Sequence, residues 1–179
     1  MPRVFTIGHS TLSLDVLLES LRAHGIGQLA DVRSVPASRR HPHMSRVSLQ
    51  AVLPAAGMGY RWLPGLGGLR RSGPVPSPNT AWREEAFRAY ADHMATPEFT
   101  DALEQLEVWA RELPTACMCA EADFRRCHRQ LLSDALVARG WRVIHVLSRE
   151  HTTPHVLSAT ARIGAAGSLS YPGEPQLPL

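Results

Sequence analysis

The sequence predicts an α/β protein built on an open, mostly parallel β-sheet with helices on both faces. Short apolar runs, typical of buried strands, alternate along the chain with longer segments whose apolar residues recur at helical spacing. Four clear strands are present, whereas a closed α/β barrel needs about eight strand–helix units. At 179 residues, the chain has the size of one ordinary domain and can bury its own core.

The amino-terminal segment predicts a strand–helix–strand unit. Residues 3–8 and 26–33 are the two apolar strands, and Pro36 stops the second. Between them lies a helix that Ser13 can cap and Gly25 can end. Its buried face is formed by Leu14, Leu17, Leu18 and Leu21. Such a connection joins two parallel strands by a right-handed crossover.

The rest of the chain continues this alternation. Two further strands are predicted at residues 114–120 and 141–147, and residues 60–64 are predicted to be extended. Helices are predicted at residues 48–56, 82–94, 97–110 and 125–139. The Gly-, Pro- and Arg-rich loop 65–79 is long for a compact domain, which favours a functional or mobile segment.

The composition changes near residue 150. Residues 1–149 are predicted to form a single α/β domain with its site at the carboxyl ends of the strands. Residues 150–179 are rich in Pro, Gly, Ser and Ala, so we expect a loosely packed or disordered tail there.

Composition also limits the class of protein. No apolar run approaches the roughly 18 residues of a membrane span, and residues 1–8 lack the apolar core of a secretion signal. The three cysteines, an odd number, favour reduced thiols in the cytoplasm over a disulfide framework. The net charge of +3 fits a nucleic-acid partner, and fits equally well the arginine-rich composition of a GC-rich genome. The oligomeric state is not indicated.

Polar side chains follow the predicted strands, at the edge where open parallel sheets bind ligands. They are Gly8-His9-Ser10, then Asp31 with Arg33, then Cys119 with Glu121, and Cys127-His128-Arg129 at the start of the next helix. In each of the two spaced pairs the residues are two apart, so both side chains share one face of the strand. We therefore expect these groups to converge on one polar site.

The thiols and their neighbours allow more than one catalytic role. Cys127 is a candidate nucleophile, activated by the helix N-terminus and by His128 or Arg129. Glu121 is a candidate general base, and Cys119 shares its face of the strand. Ordinary buried thiols are the competing interpretation. For Cys119 the structural and the functional interpretations are equally supported. For Cys127 the functional interpretation is favoured, because this residue lies beside His and Arg at the predicted start of a helix.

A metal site is the other interpretation of these thiols. Cys119, Cys127 and a histidine such as His9 are candidate ligands of zinc or iron. The two cysteines are eight positions apart, which is wider than the usual C-x₂₋₄-C knuckle, and a further ligand has to come from another strand. Cys117 is expected to be an ordinary core residue.

A set of residues is predicted to hold a small anionic ligand or nucleic acid. It comprises His9, Ser10, Asp31, Arg33, Arg39, Tyr60 and Arg129. Structural roles are open for several of them. His9 and Ser10 also fit a capped turn. Asp31 and Arg33 also fit a buried ion pair, and Arg39 fits a solvated loop. The chain has no G-x-G-x-x-G or Walker sequence, so nicotinamide and P-loop nucleotide chemistry lack support.

These motifs resemble a bacterial and archaeal family, the domain of unknown function 488. The matching stretches are Thr6–Ser10, Gly25-Ile26, Asp31–Arg33, Pro36, Ser38-Arg39, Gly59-Tyr60, Leu66–Gly68, Phe87, Tyr90, Met94, Met118–Glu121 and Cys127–Arg129. Cys-Ala-Glu followed by Cys-His-Arg is the most distinctive part, and the resemblance covers roughly residues 4–147. It implies a Rossmann-like α/β fold, and it implies no particular reaction.

Three hypotheses for function follow. The first is an enzyme, a hydrolase or transferase, that acts on a nucleotide, nucleobase or nucleic acid through a Cys/Glu/His/Arg site, with Tyr60 stacked on a base. The second is a metal-binding or redox-sensing protein that uses Cys119, Cys127 and a histidine. The third is a non-catalytic nucleic-acid-binding module, whose affinity falls steeply with salt.

Overall fold

A six-stranded β-sheet runs through the computed structural model, which describes residues 1–173. Its strands are β1 (Arg3–Gly8), β2 (Gln28–Asp31), β3 (Gly59–Trp62), β4 (Thr115–Cys119), β5 (Arg142–Val146) and β6 (Thr152–Pro154). The order across the sheet is β3-β2-β4-β1-β5-β6, and only β6 is antiparallel. A separate hairpin pairs β7 (Arg162–Ile163) with β8 (Leu169–Ser170).

Within residues 1–173, five α-helices connect the strands. They are α1 (Leu14–Ala23), α2 (Arg46–Ala55), α3 (Glu85–His93), α4 (Pro97–Ala110) and α5 (Arg129–Ala138). The capping residues act as their types predict: Ser13 Oγ accepts a hydrogen bond from Val16 N, and Thr96 Oγ1 accepts one from Phe99 N, each at 3.3 Å. In the part of the chain that the structure describes, no helix is long and apolar enough to cross a membrane.

The helices pack on both faces of the sheet and so create two apolar cores. Helices α1 and α2 cover one face, where Leu17 packs in the same cluster as Ile7. Helices α3, α4 and α5 cover the other, where Leu106 and Leu132 pack in the same cluster as Val4. Neighbouring strand residues point to opposite faces, which is why β1 contributes to both cores. The predicted open, mostly parallel α/β sheet is confirmed.

The sheet has two edge strands in addition to the four that the pattern predicts. Strand β3 pairs in parallel with β2, so the segment predicted only as extended joins the sheet. Strand β6 pairs with β5 on the opposite edge. Strands of three or four residues at an edge bury little apolar surface, so their sequences carry almost no periodic signal.

Helix α5 begins later than its apolar pattern predicts. The pattern predicts a helix from residue 125, but Cys127 is extended, with φ −130° and ψ 150°. The residues before it form a separate 3₁₀ turn in which Asp123 Oδ1 accepts from Arg125 N at 3.0 Å. Cys127 and His128 therefore sit on a short bridge between two helical segments.

The prediction of a loosely packed tail is wrong for residues 150–173. Tyr171 is fully buried, and its hydroxyl donates to Asp134 Oδ2 at 3.0 Å. Its backbone N–H donates to Asn79 Oδ1 at 2.8 Å, which ties this segment to the loop before α3. Composition misled because a few well-placed residues fix this segment, although most of it is small or polar. Residues 174–179, for which the same prediction was made, lie outside the described residues.

Substituting Tyr171→Phe should lower the free energy of unfolding by about 1.5–3 kcal/mol, because a buried carboxylate loses a hydrogen bond. Urea denaturation followed by circular dichroism measures the change. Val156→Ala, at an exposed position of the same segment, is the control and should change it by less than about 0.5 kcal/mol. Equal effects of the two substitutions would contradict the role given to Tyr171.

Candidate active site

A cavity of about 510 Å³ opens at the carboxyl edge of β2 and β4. Its polar lining comprises Arg33, Ser34, Cys119, Glu121, Arg126, Cys127 and His128. Helix α3 supplies an aromatic wall through Phe87 and Tyr90, and Gly68 and Leu69 come from the start of the long loop. The cavity lies where an open parallel sheet is expected to bind a ligand.

Two thiols and an imidazole form a cluster in the wall of this cavity, the Cys–His cluster of Cys119, Cys127 and His128. His128 Nδ1 lies 3.5 Å from Cys127 Sγ and 3.8 Å from Cys119 Sγ. All three donor atoms lie within 4.8 Å of one another. Cys119 is the last residue of β4, and the extended backbone at Cys127 turns the second sulfur back towards it.

The ring of His128 is held from two sides. Its Nε2 donates to the carbonyl oxygen of Val32 at 2.9 Å, which leaves Nδ1 facing the thiols. Gly68 packs against the ring so closely that a Cβ at this position would lie 2.4 Å from Nδ1. The glycine is therefore needed for the ring to occupy its place.

The two thiols of the Cys–His cluster have different affinities for a proton. The hydrogen bond from Cys119, followed by His128 and Arg129, lowers the pKa of Cys127. The same hydrogen bond and burial raise the pKa of Cys119. The two sulfurs therefore differ in how readily they lose a proton, Cys127 before Cys119.

Arg129 is a buried cation directly behind the Cys–His cluster, with a side chain that is 1% exposed. Its guanidinium donates to the carbonyl oxygens of Glu121 and Ala122 and, at 3.4 Å, to Thr6 Oγ1. Within residues 1–173 it forms no salt bridge, and its Nε has no hydrogen-bond partner. Gly8 allows the turn after β4 to approach β1, since a Cβ on Gly8 would lie 1.9 Å from the carbonyl oxygen of Glu121.

A chain of hydrogen bonds links this cation to a buried carboxylate. Because Arg129 can only donate, Thr6 Oγ1 accepts from it and donates to His145 Nδ1 at 2.7 Å. His145 Nε2 donates to His155 Nδ1 at 2.9 Å, and His155 Nε2 donates to Asp134 Oδ1 at 2.8 Å. Every donor in this Arg129–Asp134 chain points towards the carboxylate, so the arrangement balances the buried positive charge.

A second cluster of polar side chains lies at the same edge, on the opposite face of the sheet, and its members hydrogen-bond to one another. The Arg33 guanidinium donates to both oxygens of Asp31, at 2.8 and 2.5 Å, and to His9 Nε2 at 3.2 Å. Tyr60 donates to Asp31 Oδ2 at 2.7 Å. Burial and the neighbouring Arg33 lower the pKa of His9, which is therefore a neutral acceptor. These side chains bind one another, and of the four only Arg33 reaches the cavity.

Four residues of the cavity lining, Cys119, Glu121, Cys127 and His128, belong to the most distinctive motif of the sequence. The model of a family described as domain of unknown function DUF488 matches residues 13–136. The chain belongs to the DUF488 family. No curated protein matches the chain, and no solved structure does. The family description assigns no reaction, so the function of this DUF488 protein has to be inferred from its site.

The predicted site residues separate into two groups in this DUF488 protein. The structure brings Arg33, Cys119, Glu121, Cys127 and His128 to the cavity. It does not bring His9, Ser10, Asp31, Arg39, Tyr60 or Arg129 there. His9 does not join the two thiols as the third donor; His128 takes that position. Arg39 is exposed, and Ser10 lies in the turn after β1 with a φ of +40°.

Sequence reasoning missed several cavity residues. Arg126 was not distinguished from the neighbouring arginines, and Phe87 and Tyr90, which match the family pattern, were given no role in the site. Gly68 carried a usable signal, because glycine is the residue that lets the backbone approach another group closely.

Acid should destabilise the protein partly through His145. Burial, then His155 and Arg129, lower its pKa to about 3, whereas an unfolded chain has a histidine pKa near 6.5. The unfolded state then binds more protons, so the free energy of unfolding should fall as the pH decreases below about 6.5. Urea denaturation between pH 7.5 and 5 measures this slope, while most carboxylates stay ionised.

His145→Gln should flatten that slope, since one titrating group is removed. His151→Gln, at an exposed histidine, is the matched control. An unchanged slope in His145→Gln would contradict the buried, neutral state of His145.

Gly68→Ala should disturb the His128 ring. The added methyl group overlaps the ring, so we expect either a loss of about 1–3 kcal/mol in the free energy of unfolding or a displaced imidazole. Urea denaturation and the NMR chemical shift of the His128 Hε1 proton measure the two effects. Gly73→Ala is the control, because its Cβ would meet no atom within 4 Å. If both variants matched the wild type, the close contact with His128 would be refuted.

Proposed function

We propose that this DUF488 protein is an enzyme, a hydrolase or transferase, that acts on a nucleotide, a nucleobase or a related small planar anion. The single observation that carries the proposal is that the Cys–His cluster faces a cavity that also holds an aromatic wall and a cationic side chain. Reactive side chains, a stacking surface and a charge anchor thus meet in one place.

The cavity supports the proposed class of substrate by its size and lining. About 510 Å³ lies within the range of small-molecule sites, roughly 300–1,000 Å³. Phe87, which is half-buried, offers aromatic surface for a planar ring, and the buried Tyr90 closes the wall behind it. Arg126 is exposed at the rim and forms no ion pair with any residue from 1 to 173, so its guanidinium can bind a phosphate or carboxylate.

The remaining lining residues supply the proposed chemistry. Cys127 and His128 form the reactive centre, and Cys119 lies beside them. Glu121 is exposed at the mouth of the cavity, where its carboxylate can exchange a proton with a bound ligand. Arg33 keeps its hydrogen bonds to Asp31 and shapes the wall of the cavity.

Arg126→Ala should weaken binding of anionic ligands by about 10–100-fold, which corresponds to the loss of one charged hydrogen bond of about 1.5–3 kcal/mol. A panel of nucleobases, nucleosides and nucleotides, measured by isothermal titration calorimetry, tests this. Arg125→Ala is the matched control, since the adjacent Arg125 pairs with Asp123 and does not line the cavity.

The same panel separates the competing functions. No ligand from the panel, or equal losses in both arginine variants, would contradict the proposal. Binding confined to oligonucleotides, steeply salt-dependent and lost in Arg39→Ala, would instead favour a nucleic-acid-binding module.

Turnover should be lost in Cys127→Ser and kept in Cys117→Ala, because Cys117 lies in the core away from the cavity. We also propose a cytoplasmic location, where these thiols stay reduced.

A further inference from the structure

We propose that Cys119, Cys127 and His128 bind one Zn²⁺ through Sγ, Sγ and Nδ1, with the fourth coordination position open to the cavity. Zinc prefers nitrogen and sulfur donors in a tetrahedral arrangement. Sites with three protein ligands and one open position are the catalytic type, whereas structural sites have four protein ligands. All three proposed ligands line the cavity, so the open position would face the ligand space.

The distances between the donor atoms fit a zinc ion. With Zn–S near 2.3 Å and Zn–N near 2.0–2.1 Å, a tetrahedral site has sulfur–nitrogen separations of about 3.5–3.6 Å and a sulfur–sulfur separation of about 3.8 Å. The sulfur–nitrogen separations here are 3.5 and 3.8 Å. The three donor atoms lie within 4.8 Å of one another. To reach the tetrahedral separation, the two sulfurs therefore have to move closer by about 1 Å at most.

The orientation of His128 is a second, independent observation. Metal-binding histidines almost always donate their other ring N–H to a carboxylate, a backbone carbonyl or water, which fixes the tautomer. His128 Nε2 donates to the Val32 carbonyl at 2.9 Å, so the lone pair of Nδ1 is directed at the two sulfurs. The close packing of Gly68 keeps the ring in this orientation.

The charges of the site are compatible with the ion. Binding displaces the Sγ protons to solvent, and two thiolates with a neutral imidazole then balance the charge of Zn²⁺. The buried Arg129 behind the cluster is compensated separately, by the carbonyls of Glu121 and Ala122 and by the chain that ends at Asp134.

Zinc in this place defines the reaction class more closely; this step rests on the proposed function, and in it Cys127 and His128 act as zinc ligands and not as the attacking group. Water in the fourth position of a catalytic zinc site has a pKa near 7 and supplies hydroxide at neutral pH. The hydroxide oxygen would form the new bond to the substrate, and the bond to the leaving group would break with its electron pair. Glu121, at the mouth of the same cavity, would take the water proton and deliver it to that leaving group. The reaction is therefore a hydrolysis.

The first measurement titrates Co²⁺ into the full, reduced, chelator-treated chain. Cobalt reports its own ligands: thiolate ligation gives sulfur-to-cobalt charge-transfer absorption, and tetrahedral geometry gives intense visible bands. We expect both signals at one equivalent, with Zn²⁺ displacing the cobalt at one equivalent. This test requires no variant, so it does not depend on how well a substituted chain folds. A weak octahedral spectrum, or no stoichiometric binding of either metal, overturns the proposal.

Variants then locate the ion. Cys119→Ser and Cys127→Ser should each lose stoichiometric zinc binding in native mass spectrometry, whereas Cys117→Ala should bind one equivalent like the wild type. Zinc retained by both Ser variants would overturn the assignment, as would a reduced chain that binds no zinc but forms a Cys119–Cys127 disulfide with peroxide. The proposed function fails separately, if zinc binds as expected but Arg126→Ala leaves ligand binding unchanged.

Discussion

The buried charge of Arg129 organises the carboxyl edge of the sheet. A guanidinium that is 1% exposed is tolerated only if its donors and its charge are satisfied, because an uncompensated charge in the core costs several kcal/mol. Among the described residues, Arg129 meets this requirement at its two terminal nitrogens but not at Nε, through the carbonyls of the turn after β4 and a hydrogen-bond chain that ends at Asp134. The turn that carries Glu121 is thereby fixed to α5, β1 and β5.

This constraint also explains why the segment after residue 150 belongs to the domain. His155 and Tyr171 both bind the carboxylate of Asp134, so the end of the chain helps to hold the counter-charge of Arg129. Phe124 stacks on His145 with ring centroids 3.4 Å apart, which covers the hydrogen-bond chain from the side of the cavity turn. Residues far from the cavity therefore contribute to its shape through electrostatics and hydrogen bonding, not through direct contact.

Two polar clusters lie at the carboxyl edge of the sheet, and they differ in whether their members hydrogen-bond mainly to one another. His9, Asp31, Arg33 and Tyr60 satisfy one another, so binding a ligand through them would break strong contacts. The Cys–His cluster keeps soft donor atoms turned towards one another and towards the cavity. Both proposals place the chemistry on this cluster for that reason, and they assign binding of the anion to Arg126 at the rim, which forms no ion pair within residues 1–173.

The sequence by itself determined the fold class, the four central strands, the family motifs and the edge of the sheet at which polar groups gather. Periodicity and capping are local properties, and parallel strands align their carboxyl ends whatever the detailed packing. Only the tertiary structure decided that His128 and not His9 meets the thiols, because the choice depends on one extended residue, Cys127, and on the close approach of Gly68. Arg129 lies inside and Arg126 at the cavity for the same reason: side-chain burial depends on contacts between segments distant in sequence.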